Sequence, residues 1–307
     1  MSLRLMLPAL ALSLAALAQV TIDPRPKPAD KSTQPKVNLR ADSNLILVPV
    51  AVVDYANHPV TGLEKENFHV FDNNVEQKIS AFATEDAPVA VGLVYDHSGS
   101  VGPVIRNESR ATQMFLKTSN PADEYFLVTF ASKPELALGM TPSTGDVGSR
   151  VYNTRSGGST ALFDGVILGM NELRKSKLNR KALLVISDGG ENNSRYSKRE
   201  LQKMVEESDG LIYAIGFNST QADFPLLKWM AELSGGRAFP AKYEDFPDVA
   251  AKIGLELRNR YVLGFSAAGI PHDGKYHALR VDLAPPHGMP KLKASWRRAY
   301  IAPDDSR

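Results

Sequence analysis

Val89-Ala90-Val91-Gly92-Leu93-Val94-Tyr95-Asp96-His97-Ser98-Gly99-Ser100 decides how this chain folds. The segment from Val89 to Tyr95 is a near-continuous apolar run. A strand with one wet face alternates apolar and polar residues, so an unbroken run marks a strand covered on both faces, as in a parallel sheet. The run then stops at an aspartate followed by small hydroxyl residues and glycine. In open α/β sheets the loops at the carboxyl ends of the strands form the ligand crevice, and Asp96 falls at that edge.

Downstream, helix and strand periods alternate. A helix is predicted over 104–118, with Ile105, Ala111, Phe115 and Leu116 on one side, followed by a strand over 125–130. The next helix, 161–173, has Leu162, Val166, Ile167, Met170 and Leu173 on its apolar face. Residues 182–186 repeat the buried-strand pattern. Then come a polar-faced helix over 198–207, a strand over 211–217, and a helix over 224–233 ended by Gly235-Gly236. A short strand over 237–240 and a helix over 245–257 complete the series. This order implies an α/β fold, Rossmann-like, with a mostly parallel central sheet flanked by helices.

Both flanks read differently. Strands are expected at 45–53, 68–71 and 78–82, with turns at 54–59 and 72–74. The tail adds strands at 261–265, 276–283 and 291–301. In the middle one His277, Leu279, Val281 and Leu283 alternate with Tyr276, Ala278, Arg280 and Asp282. Neither set is large enough to be stable alone. The two sets are therefore expected to pair into one smaller β-sandwich beside the α/β domain. The expected boundaries are 1–18 for a signal peptide, 19–41 for a Pro-rich flexible tether, 42–86 for N-terminal strands of the sandwich, 87–258 for the α/β domain and 259–303 for the strands completing the sandwich.

The start of the chain motivates the first two boundaries. Arg4 supplies positive charge, residues 5–17 are almost entirely Leu and Ala, and Ala16-Leu17-Ala18 is a small-x-small pattern that a signal peptidase accepts. At about 13 residues the apolar stretch falls short of the ~20 that span a bilayer. A cleaved export signal is therefore expected, with Gln19 as the new N-terminus, no stable membrane span in the mature chain, and a periplasmic or secreted location. Pro24, Pro26, Pro28 and Pro35 then stand among polar residues that cannot bury enough surface to fold. The chain has no cysteine, which excludes disulfides and thiolate metal sites. Its 307 residues carry a net charge of +2, and no basic run is interleaved with aromatics, so nothing points to nucleic acid.

The residues that carry chemistry lie at the carboxyl edge of the sheet. Asp96-His97-Ser98-Gly99-Ser100 ends one buried strand, and Ser187-Asp188-Gly189 ends another. Between them Gly157-Gly158-Ser159-Thr160-Ala161 opens a helix. This set resembles the metal-ion-dependent adhesion site of von Willebrand factor type A domains: Asp-x-Ser-x-Ser, a Thr opening a helix, and an Asp in a strand-terminal Asp-Gly. The pattern falls on Asp96, Ser98, Ser100, Thr160 and Asp188, and the α/β part of the likeness covers about 88–243. A wider likeness, over about 45–303, is to a bacterial exported VWFA-related family. It is carried by Pro59-Val60-Thr61-Gly62-Leu63, Phe68-His69-Val70-Phe71-Asp72-Asn73, Tyr261-Val262-Leu263-Gly264-Phe265 and Gly274-Lys275-Tyr276-His277. That family commonly has Gly where Ala299 stands in Arg297-Arg298-Ala299-Tyr300.

The residue types suit a hard cation. Mg²⁺ takes six oxygens at about 2.0–2.1 Å and keeps some waters. Ser98, Ser100 and Thr160 are neutral oxygen ligands, with Ser159 the alternative to Thr160. Asp96 and Asp188 supply negative charge and orient the hydroxyls. Neutral ligands leave the ion's charge poorly quenched, and the resemblance implies that a partner's acidic residue completes it. Mg²⁺ is expected, with Mn²⁺ the alternative and Ca²⁺ disfavoured because it takes more oxygens.

The expected function is a metal-dependent protein-binding module of adhesion type, not an enzyme. The chain lacks a nucleophile elbow, a zinc-protease helix, a phosphate loop and a dinucleotide fingerprint. One alternative is a scaffold of a cell-envelope assembly with a metal-stabilised fold. Another is a Mg²⁺-assisted hydrolase, for which His97 or Glu191 would be the base. His97 otherwise reads as an exposed residue beside the ion. Glu191 reads as a solvated loop residue or a support behind the ligands. His272 and His277 read as turn and strand residues rather than a second metal site.

Overall fold

A computed structural model of the chain describes residues 45–84, 87–99, 105–152, 157–217 and 223–302. The expected leader, 1–18, and tether, 19–41, lie outside those residues. Four strands come first: β1 (Leu45–Val53), β2 (Phe68–Asp72), β3 (Val75–Gln77) and β4 (Ile79–Thr84). The alternating series opens with β5 (Val89–Asp96), α1 (Ile105–Leu116), β6 (Glu124–Phe130), β7 (Pro134–Thr141) and α2 (Thr144–Tyr152). It continues with α3 (Leu162–Leu173), β8 (Arg180–Ser187), α4 (Lys198–Glu206), β9 (Leu211–Gly216), α5 (Phe224–Ser234), β10 (Ala238–Pro240) and α6 (Phe246–Arg258). The tail holds β11 (Arg260–Ser266), β12 (Tyr276–Leu283), β13 (Lys293–Ser295) and β14 (Ala299–Ile301).

The central sheet has the order β10-β9-β8-β5-β6-β7, and β5 is buried along its whole length. Every pairing is parallel except β6 with β7, so the antiparallel strand sits at one edge. Alternate residues of β5 feed two cores. Val91, Leu93 and Tyr95 pack with Ala111 and Phe115 of α1, Val147 and Val151 of α2, and Phe246, Ala250 and Ile253 of α6. Ala90 and Val94 pack on the other face with Val166 and Met170 of α3, Leu201 of α4 and Leu227 of α5. Each of the larger aliphatic and Phe side chains contributes about 1.5–3 kcal/mol by leaving water, the alanines less, which is why the helices cover both faces. Gly92 is the one gap in the run. A Cβ there would enter the Phe126 ring and stand 2.6 Å from Leu183 Cδ2.

The strands of the two flanks pair as expected. β11 lies antiparallel between β1 and β4, with Val50 opposite Tyr261 and Phe82 opposite Leu263. β12 pairs with β2, Val281 opposite Val70. The two four-stranded sheets, β13-β1-β11-β4 and β14-β12-β2-β3, close over Val48, Val50, Phe68, Val70, Leu263 and Val281.

The tail departs from the sequence reading at one place. Residues 291–301 are not one strand: β13 pairs with β1 and β14 with β12, in different sheets. The chain turns the corner at Trp296, whose indole Nε1 donates to the Leu279 carbonyl at 3.1 Å, while Leu279 N–H donates to Arg298 O at 2.7 Å. A segment that crosses between packed sheets keeps a strand-like pattern on both sides of the corner. Two further elements, β7 and α2, are additions to the alternation. Among the described residues, no helix is long and apolar enough to cross a membrane.

Candidate metal centre

The parallel strands β5 and β8 bring Asp96 and Ser187-Asp188 to one edge of the sheet. Asp96 is fully buried and firmly held. Its Oδ1 accepts the Ser98 N–H at 2.9 Å, and its Oδ2 accepts the Ser187 hydroxyl at 2.7 Å. Burial pushes the Asp96 carboxyl above the usual carboxylate range, the bonds from Ser187 and Ser98 oppose this, and the charge of Asp188 adds to it. Ser187 Oγ also accepts the Gly189 N–H at 3.0 Å, so one hydroxyl ties the two strand ends together. Asp188 is half-buried, and its Oδ1 accepts the Gly190 N–H at 2.9 Å.

Ser98 is buried in the loop after Asp96. Gly99 N–H donates to Gly158 O at 2.9 Å and Gly157 N–H to His97 O at 2.8 Å, which laces this loop to the glycine loop before α3. Gly157 and Gly158 both have positive φ, so that loop needs glycine. Thr160 is buried, while Ser159 is exposed. Thr160 N–H donates to Asn192 Oδ1 at 2.9 Å, and its carbonyl accepts the N–H groups of Asn192 and Asn193 at 3.0 Å each. A Cβ added at Gly190 would lie 3.1 Å from Asp188 Oδ1 and 3.9 Å from Thr160 Oγ1. The Asp188 carboxylate and the Thr160 hydroxyl therefore border one small space, which the absence of a side chain at Gly190 leaves open. Ser100 lies outside the described residues.

The donors at this edge are all oxygens, from two carboxylates and neutral hydroxyls. Among the described residues no three His, Asp or Glu side chains converge as metal ligands, so an ion here would depend on Ser and Thr. That set fits a hard cation such as Mg²⁺.

His97 is not exposed. It is 3% accessible, and its Nε2 lies 3.0 Å from Oε2 of Glu108, a residue of α1 with no exposure at all. The strand's alternation continues one step past β5, so His97 falls on the same side as Leu93 and Tyr95, toward α1. The sequence held a signal for this: Glu108 shares the buried stripe of α1 with Ala111, Thr112 and Phe115, where a lone acid needs a partner. Burial pushes the Glu108 carboxyl upward, and the bond from His97 opposes it.

Glu191 is also committed. Its Oε2 accepts the Phe163 N–H at 3.0 Å, which caps the start of α3, and the Ser194 hydroxyl at 2.6 Å. Its Oε1 accepts the N–H groups of Asn193 and Ser194 at 3.1 and 2.9 Å. Asp164 holds the same loop, accepting from the N–H groups of Arg195 and Tyr196. Both side chains that a hydrolytic reading would use as base are thus engaged with protein. In the sandwich, His277 is buried with Nδ1 3.0 Å from both oxygens of Asp72, and His272 is exposed in the loop before β12.

The fold and this edge define a doubly wound α/β domain with an oxygen-donor cluster at the carboxyl end of its sheet. Residues 91–191 match the family model of the von Willebrand factor type A domain, a span that includes Asp96, Ser98, Ser100, Thr160 and Asp188. No curated protein matches the sequence. Among solved structures, proximal thread matrix protein 1 from the mussel byssus is similar at a TM-score of 0.50 and 16% identity, over 61% of this chain and 50% of that one. BatB from Bacteroides thetaiotaomicron is similar at a TM-score of 0.45 and 14% identity, over 55% of this chain and 98% of that one. The vWF domain of the type V pili tip protein Mfa5 from Porphyromonas gingivalis follows at 0.46 and 14%, over 58% and 98%. At these identities the likeness concerns the fold alone.

Proposed function

We propose that this chain is an exported protein-binding module of adhesion type that captures an acidic residue of a protein partner through Mg²⁺ held by Asp96, Ser98, Ser100, Thr160 and Asp188. The observation that carries the reading is the bond from Ser187 Oγ to Asp96 Oδ2. It fixes a buried carboxylate at the edge where Asp188 and Thr160 border a common space. In this reading Asp96 holds the Ser98 loop in place, Thr160 and the two serines present hydroxyl oxygens, and Asp188 balances charge. A Mg²⁺ ion bound by mostly neutral oxygens would supply a Lewis-acidic position open to a further carboxylate. Mn²⁺ would serve in the same way. The two candidate bases of the hydrolytic reading, His97 and Glu191, are each hydrogen-bonded within the protein, which supports binding over catalysis.

The test is a calorimetric Mg²⁺ titration of the metal-stripped protein beside Asp96→Ala. Saturable one-site binding that the variant loses, with its far-UV spectrum native, is the expected result. No uptake at millimolar Mg²⁺ would overturn the metal-dependent reading and leave a scaffold role in a cell-envelope assembly as the better account.

A further inference from the structure

The loop that carries Ser98 is gripped from behind by a pair of residues that the metal reading does not use. His97 and Glu108 are both buried, and their side chains meet at 3.0 Å. The backbone of His97 is a junction as well. Its N–H donates to Phe130 O at 2.7 Å, and its carbonyl accepts the Gly157 N–H at 2.8 Å. One residue therefore joins α1, the end of β6 and the glycine loop before Thr160. The pair is an expensive way to fill a core. Glu108 Oε1 has no hydrogen-bond partner among the described residues, and an acid with an unsatisfied oxygen is less stable there than an apolar pair of similar volume. What such a pair supplies and an apolar pair does not is direction, because the bond to Oε2 fixes the imidazole and with it the backbone between Asp96 and Ser98.

We infer that His97 and Glu108 are positioning residues that set the loop 96–99 from the α1 side, so that Ser98 and the glycine loop are held in register before any ion arrives. The part of this inference that concerns Mg²⁺ rests on the proposed function; the part that concerns the loop does not. A second link keeps α1 docked if the pair is broken. The Thr112 hydroxyl donates to the Glu108 carbonyl at 2.8 Å and accepts from the Tyr95 hydroxyl at 2.7 Å, and neither bond involves the Glu108 carboxylate.

Two measurements on the full chain test this, with Glu108→Ala, His97→Ala and Glu108→Gln compared with the wild type at one fixed pH. The first is amide hydrogen exchange without metal. Glu108→Ala and His97→Ala are expected to speed exchange at Gly99 and Gly157, while the amides of β9 keep their protection. Glu108→Gln, which can still hydrogen-bond the imidazole, is expected to restore it. The second is Mg²⁺ affinity, expected to fall roughly 10–100-fold in Glu108→Ala, the usual effect of losing a group that supports a ligand, and to recover in Glu108→Gln. Unchanged exchange at Gly99 and Gly157, or an equal rise throughout β9, would overturn the inference and make the pair a plain part of the core. If the wild type takes up no Mg²⁺ but the loop-specific exchange is seen, the positioning role stands and the metal reading falls.

Discussion

Arg260 Nη1 donates to the Tyr213 hydroxyl at 2.7 Å, fastening the first residue of β11 in the sandwich to β9 of the parallel sheet. The bond is the centre of a buried polar network. Arg260 Nη2 reaches Pro49 O at 3.1 Å and Gly235 O at 3.3 Å, and the Tyr213 hydroxyl donates to Glu256 Oε1 at 2.8 Å. Arg237 takes the other oxygen of Glu256 at 2.7 Å and also bonds Asn57 in the turn after β1. Charge, hydroxyl and backbone carbonyls thus tie the sandwich to α6 and to the end of α5.

Removing Arg260 should therefore cost more than its own contacts. Arg260→Leu leaves Glu256 with one fewer positive neighbour and strips Pro49 O and Gly235 O of a donor, and breaking a buried charged network costs about 3–5 kcal/mol. Urea unfolding is expected to show a loss in that range. A loss below about 1 kcal/mol would mean that water replaces the guanidinium and that the junction is not dry.

Gly92→Ala is expected to destabilise the fold by about 1–3 kcal/mol, the usual cost of overpacking. The new methyl would meet the Phe126 ring and Leu183 Cδ2. Adding Phe126→Leu should recover part of the loss, because it clears the ring from that space. Denaturant midpoints of the single and double variants decide the matter, and equal midpoints would mean that the ring is not what excludes the methyl.

The parts of the fold legible in the sequence are those where burial forces a pattern. β5 and β8 are covered on both faces, so their apolar runs could hardly be anything else. The edge strand β7 is half-wet and starts with Pro134, and α2 contains Gly145 and Gly148. Neither has a strong local preference, and α2 is held by Val147 and Val151 in the shared core. Residues 291–301 kept one pattern through a corner, which only the pairing partners reveal. At the carboxyl edge of the sheet, the placement of Asp96, Thr160 and Asp188 was legible because a strand end or a helix start fixes each, while their role toward an ion is a separate matter. His97 was not, because its partner Glu108 lies on the next helix, and that contact depends on how α1 packs.

The start of α4 gives a pH-dependent prediction. Ser197 and Glu200 cap each other, the Ser197 N–H and hydroxyl each donating to Glu200 Oε2 at 2.8 Å. The bond from the Ser197 backbone holds the Glu200 carboxyl below its ordinary range. A depressed carboxylate contributes stability that is fully present above its unfolded pKa and is lost as pH falls through the folded value. Glu200→Ala should thus be less stable than wild type at pH 7, with the gap closing at pH well below the carboxylate range. A gap of the same size at both pH values would show that the charge of Glu200 contributes nothing.

Thr160 and Ser159 are adjacent hydroxyls, and the environment of each makes a different prediction. Thr160 is buried, and its hydroxyl borders the space that Asp188 Oδ1 also faces. Its backbone is held independently by Asn192 and Asn193, so changing the side chain should leave the loop in place. Ser159 is exposed and is anchored by its own N–H on Ser132 Oγ at 2.9 Å, a bond that an alanine keeps. On the proposed function, Thr160→Val, which keeps the shape and deletes the oxygen, should weaken Mg²⁺ at least as much as the roughly 10–100-fold lost with an outer support. Thr160→Ser should stay close to wild type, and Ser159→Ala should match it. Gly190→Ala provides an independent check, because its methyl would stand 3.1 Å from Asp188 Oδ1 and crowd the space without removing any ligand. Calorimetry on the four folded variants separates the cases. Weak binding in Ser159→Ala with normal binding in Thr160→Val would transfer the ligand role to Ser159 and place the ion nearer the surface than the buried hydroxyl implies.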